Sequence, residues 1–161
     1  NEVQDLRRRE ADIAIRHVQP THPDLYAKRL RTAKCKLYGA TSYLDQLGRP
    51  ATIKDFSERA TFIGDTSGRV LQMLTAMGVP VVPEQFSIIA NSGVAMWELV
   101  KRGIGLAVMF KDLADMTPEV EVILPTEISV DVPVWLVTHS ELKTNARIRA
   151  IFDILSGELA A

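Results

Sequence analysis

The sequence holds one cysteine, Cys35, three histidines and 6% aromatic residues in 161 positions. A lone cysteine excludes an internal disulfide and a thiolate metal cage, and no oxidising compartment is required. His17, His22 and His139 are scattered and lack the HExxH spacing that sets two ligands on one helix face. Excess charge is also missing: 19 Lys and Arg against 20 Asp and Glu give a net charge of −1. That balance argues against a nucleic-acid surface, which needs a basic surplus. No apolar run approaches the roughly 20 residues of a membrane span, and no signal peptide opens the chain. There is neither a GxSxG elbow nor a Walker loop. Gly103-Ile-Gly105 is half of a dinucleotide fingerprint, but it follows a helix instead of a strand, where a phosphate-binding turn must lie. No catalytic constellation, metal site or cofactor is expected.

What is present is a core: 47% of the residues are hydrophobic. The chain is organised around 86–110, FSIIANSGVAMWELVKRGIGLAVMF. Phe86 to Ile89 reads as a strand. Asn91, Ser92 and Gly93 stop it and open a helix, since Asn and Ser side chains accept a free backbone N–H. Val94, Trp97 and Val100, with Met96 and Leu99, form its apolar stripe. Gly103 ends the helix behind Lys101 and Arg102. Ile104 to Phe110 is apolar throughout, as in a strand covered on both faces. This is a βαβ pattern with parallel strands, whose ligands lie beyond the strands' carboxyl ends. The helix start at Ser92 could serve as a cap alone or also offer N–H groups to an anion.

The remaining elements follow in order. Asn1 to Glu10 reads as helical. Asp12 to Arg16 reads as a short strand with Ile13, Ala14 and Ile15 buried, and Arg16 emerges at its end, suited to a carboxylate or to an ordinary salt bridge. Tyr26 to Ala40 is extended; Cys35 and Leu37 share a buried parity, and Lys34, Lys36 and Tyr38 the exposed one. A helical turn over Ser42 to Leu47 is broken at Gly48–Arg49–Pro50. Thr52 opens a short helix with Asp55 at capping-box spacing. Thr61 to Ile63 is a strand ending at Gly64, and Asp65 to Gly68 caps a helix carrying Val70, Leu71, Leu74 and Met77. Lys111 to Met116 reads as a brief helix and Val120 to Leu124 as a strand. Ser129 to Thr138 is extended, with Pro133 marking an edge or bend. Thr144 or Asn145 caps a last helix whose face is Ile148, Ile151, Phe152 and Leu155, ended by Gly157.

These elements predict an α/β protein with two Rossmann-like lobes. The inner lobe is 41–128, and an outer lobe with hinge strands is built from 1–40 and 129–161. Two crossings between lobes suit a cleft that closes on a small ligand.

Three stretches carry a family resemblance: LRRREADIAIRH (6–17), LYGATSYLDQLGRPATIKDF (37–56) and ANSGVAMWELVKRGIGLAVM (90–109). Their ordered set resembles the effector-binding domain of LysR-type transcriptional regulators. The resemblance implies a periplasmic-binding-protein-like fold and a small-molecule effector between the lobes. It also implies a cytoplasmic homodimer or tetramer, and DNA bound through an N-terminal helix-turn-helix that this sequence lacks. Carried over by position, the ligand would meet Arg16, Thr41, Gly64, Asp65, Asn91, Ser92 and Met109. Arg16 and the helix starts suggest a carboxylate, whereas Asp65 suggests an amine or hydroxyl. The family's opening strand–helix–strand is missing as well, and residues are expected upstream of Asn1. A free-standing solute-binding protein or a small enzyme using the same cleft is the alternative.

Overall fold

The computed structural model describes residues 11–160 except Pro125 and Glu127. The helix expected over Asn1 to Glu10 lies outside the described residues. The chain separates into two compact units, one from 1–33 and 131–161, the other from 34–130.

In the first unit, β1 (Ile13–Arg16) pairs antiparallel with β7 (Val130–His139), and β7 also neighbours β2 (Leu25–Ala40). The register sets Ile13 opposite Thr138 and Arg16 opposite Trp135. The Thr138 hydroxyl donates to the Asp12 carbonyl at 2.8 Å, extending that register by one residue. Pro133 precedes the residues that pair with β1, so on that side its missing N–H leaves no ladder bond unmade. Ile15 is half exposed, contrary to the expectation that it is buried: among the described residues β1 stands at the edge of its sheet, and one face of an edge strand can stay in solvent. Helix α6 (Ala146–Glu158) is capped by Asn145, whose Oδ1 accepts from the N–H groups of Arg147 and Ile148. Phe152 is buried, with Ile148 and Leu155 half-buried beside it, but Ile151 is exposed. The packed stripe therefore lies further round the helix than the expected i, i+3, i+4 face. Gly157 does not end α6, which continues through Glu158; the glycine keeps helical backbone there.

The second unit carries the larger core. The end of β2 pairs antiparallel with β5 (Ala107–Phe110) and with β6 (Val120–Val122). β3 (Ile63–Gly64) and β4 (Ile88–Ile89) form a short parallel pair. Phe62 and Leu106 make a parallel bridge on the other side of β3. So β4 and the segment leading into β5 flank β3, giving the expected parallel βαβ arrangement with β3 between. β4 starts later than expected, because a 3-10 turn occupies Pro83–Gln85 ahead of it. Helices α1 (Thr41–Leu47), α2 (Ile53–Arg59), α3 (Arg69–Ala76), α4 (Gly93–Lys101) and α5 (Lys111–Asp115) complete the unit.

Local chemistry explains these boundaries. Thr52 caps α2 by accepting the Asp55 N–H at 3.2 Å, and its hydroxyl donates to the Asp55 carboxylate at 2.7 Å. Gly48 and Arg49 close α1 with left-handed backbone and N–H bonds to Asp45 and Leu44 carbonyls. On α4, Met96, Trp97 and Val100 are buried, but Val94 is 76% exposed; it sits in the first turn, off the packed face. Tyr38 is buried too, against its expected exposed parity. Its ring meets Trp97 edge-on at 5.9 Å, so helix α4 covers the sheet face that the lysine alternation marked as wet. Burial, with Asp115 among the nearby charges, pushes the Tyr38 phenol up to about 12.

Candidate functional site

β3 and β4 end side by side. The Ala90 N–H donates to the Gly64 carbonyl at 2.8 Å, and each strand then turns directly into a helix. Gly64 is required by packing: a Cβ there would stand 2.7 Å from the Phe86 ring. The two turns are tied together. Asn91 Oδ1 accepts from both the N–H and the hydroxyl of Thr66, each at 2.9 Å.

The two helix starts differ electrostatically. At α3, Asp65 Oδ1 accepts the Val70 N–H at 3.0 Å, and the Ser67 hydroxyl donates to its other oxygen. Partial burial of Asp65 works against ionisation, but these two hydrogen bonds and the Arg69 charge outweigh it and hold the carboxyl below its ordinary range. A fixed negative charge thus already occupies the positive end of α3. At α4 the cap is neutral: Ser92 Oγ accepts the Ala95 N–H at 3.4 Å, with no acidic residue in the first turn. Asn91 and Ser92 are exposed, and beside them Ile89 and Val94 offer apolar surface, 50% and 76% exposed.

The structure therefore brings four of the expected residues, Gly64, Asp65, Asn91 and Ser92, onto one pair of turns. Met109 belongs to the neighbouring sheet and Thr41 follows the end of its strand β2. Thr41 opens α1, donates its N–H to the Glu119 carbonyl at 3.0 Å, and hydrogen-bonds Glu121 through its side chain. Met109 sits opposite Lys36 in the ladder and is buried. Arg16 lies in the first unit at the end of β1. Thr66 was missed by sequence reasoning, because its partner is 25 residues away and only the fold joins them.

A second feature not anticipated is Arg49. It holds a left-handed backbone (φ 46°) and forks onto Glu121 at 2.9 and 3.0 Å while also reaching Asp45 at 2.6 Å. The Arg49 bonds to Glu121, with that from Thr41, lower the Glu121 carboxyl from 4.5 to about 2. A depressed carboxyl stabilises the fold above its unfolded value and loses that contribution as pH falls through the folded one. Glu121→Gln is accordingly expected to flatten the acid decline in stability between pH 4.5 and about 2, read by thermal melts across that range. The effect is small because both side chains remain solvent-exposed. An unchanged acid limb would mean that the pair does not form in solution.

Among the described residues no group of side chains could hold a metal ion, and no helix is long and apolar enough to cross a membrane. Strands that end on polar turns at helix starts, in a chain of two compact α/β units, define a small-molecule-binding class of fold. The family model described as "LysR substrate binding domain" matches residues 1–160, and the chain belongs to that family, the effector-binding part of LysR-type transcriptional regulators. Solved structures agree in fold. The regulatory domain of CrgA, a LysR-type transcriptional regulator from Neisseria meningitidis, is 23% identical with a TM-score of 0.83, over 97% of this chain and 79% of that one. A longer CrgA structure is 24% identical with a TM-score of 0.81, and this chain covers 97% of itself but 55% of that protein. The effector domain of AmpR from Pseudomonas aeruginosa is 18% identical with a TM-score of 0.72, over 97% and 75% of the two chains. No curated protein sequence matches significantly. The periplasmic-binding-protein-like fold implied by the resemblance is thus the fold of this chain.

Proposed function

We propose that this domain senses a small carboxylate whose charged group docks at the start of α4, and that the parent regulator is a cytoplasmic, oligomeric, DNA-binding protein. The observation that carries the ligand assignment is the asymmetry of the paired turns. Asp65 turns its carboxylate onto its own turn, accepting from Val70 and Ser67, and its charge is offset there by Arg69 and the α3 start, so it bears less on the ligand's charge. The α4 start is neutral, exposed and flanked by Ile89 and Val94, which suits an anionic head on an apolar body. Arg16, Thr41 and Met109 are kept in this reading as further ligand contacts on the family resemblance alone. Binding of the ligand to one arrangement of the domain better than another would shift the regulator's population toward it. Sensing is favoured over transport or catalysis by membership of a family of regulator domains.

Ser92→Asp tests the reading. Aspartate is as good a cap as serine, so the fold is retained, but it puts a negative charge where the ligand's would sit. A panel of small carboxylates screened by thermal shift is expected to yield a stabilising ligand, and Ser92→Asp to weaken it by about tenfold or more. A best ligand that is cationic, or one indifferent to Ser92→Asp, would overturn the proposal.

A further inference from the structure

The first unit contains a separate concavity of about 320 Å³ between β2, β7 and α6. That volume lies at the small end of the roughly 300–1,000 Å³ usual for ligand pockets. Its apolar wall is formed by Tyr26 and Phe152, whose rings lie 5.6 Å apart and tilted by 49°, with Ile148 beside them. Its polar rim carries Lys28, Arg149 and Asp153.

The charge on this rim is not balanced internally. Lys28 is exposed and makes no ion pair among the described residues. Arg149 reaches Asp153 only at 3.9 Å, with both side chains at least 70% exposed, a contact worth little in water. Helix α6 adds to the positive field. Arginines stand at its second and fourth positions, and its first turn has no acidic residue. Cations at that end oppose the helix dipole, so the arrangement costs local stability unless an anion relieves it. Two independent observations, a cavity with an aromatic wall and an unrelieved positive rim, converge on one chemistry.

We propose that this groove is a second ligand site, for a small aromatic carboxylate. The ring packs against Tyr26 and Phe152, and the carboxylate takes Lys28 and the guanidinium fork of Arg149, displacing the weakly held Asp153. The proposal does not depend on the turn site of the second unit, and it gives the domain two separately occupied positions.

The test is titration of the chain with phenylacetate, with phenylacetamide as its uncharged counterpart, followed by backbone amide NMR. Saturable shifts at Tyr26, Thr138 and Ile148 are expected with phenylacetate and not with the amide. Lys28→Gln and Arg149→Gln, both at exposed positions, are each expected to weaken binding by about tenfold, while Ser92→Asp leaves it unchanged. The proposal is overturned by equal shifts from the amide, by no shifts at about 10 mM phenylacetate, or by affinity unmoved in both variants. Loss of these shifts in Ser92→Asp would also overturn it, by assigning the binding to the other unit.

Discussion

Gly105→Ala is expected to destabilise the second unit by about 2–3 kcal/mol. A Cβ at position 105 would lie 2.8 Å from the Thr61 carbonyl oxygen and 3.3 Å from Ile63 Cγ1. The near atom is backbone, and it is held at both ends. The Thr61 carbonyl accepts the Leu106 N–H at 2.9 Å, and the Thr61 N–H donates to the Tyr43 hydroxyl at 2.8 Å. Moving Thr61 aside breaks the parallel bridge that joins β3 to the approach of β5. Each unit holds one tryptophan, Trp135 in the first and Trp97 in the second, so a Trp135→Phe background isolates the second unit's unfolding. Urea denaturation read through Trp97 should show an earlier midpoint for Gly105→Ala. A midpoint unchanged from the parent would mean that the backbone at 105 has room for a methyl group.

The same glycine illustrates what the sequence makes legible. Gly103-Ile-Gly105 has the look of half a nucleotide fingerprint, but its two glycines do different structural work. Gly103 takes φ 70° to end α4, a role readable from its place behind Lys101 and Arg102. Gly105 is there for close packing against Thr61, which lies 44 residues upstream, and no local pattern signals such an approach.

The candidate site divides in the same way. Asn91 and Ser92 are readable because capping chemistry is local: the residue that stops the strand is the one that feeds the helix N–H groups. Gly64 and Asp65 are readable as the end of one strand and the start of its helix. What could not be read is that Asp65 turns its carboxylate onto Val70 and Ser67 of its own turn, which lessens its bearing on ligand charge, and that Thr66 binds Asn91. Tyr38 fails for a related reason. Alternation reports which parity meets water on average, and it cannot foresee that Trp97 will cover part of the wet face. Ile15, Val94 and Ile151 err in the other direction. Apolar character alone does not imply burial, since single exposed aliphatic residues are ordinary.

Phe62→Ala should have the largest effect of any substitution considered, about 3–5 kcal/mol, which is a large share of the roughly 5–15 kcal/mol that hold a domain together. Phe62 has no solvent exposure. Its ring meets Phe86 at 5.9 Å, its backbone bridges Leu106, and its N–H donates to the Gln85 carbonyl. It therefore packs the strand that delivers Gly64 and Asp65 to the turn. The loss has two parts, the transfer of the ring out of water and the cavity left behind, and pinned strands on either side limit how far the site can collapse. Phe62→Leu keeps most of the volume and should cost less than half as much. Because the strand ends at the site, carboxylate affinity should fall in Phe62→Ala even under conditions where the protein remains folded. Denaturation followed separately at Trp97 and at Trp135 should place the loss in the second unit. An equal loss at both reporters would show that the two units unfold as one, and no loss at either would remove Phe62 from the core.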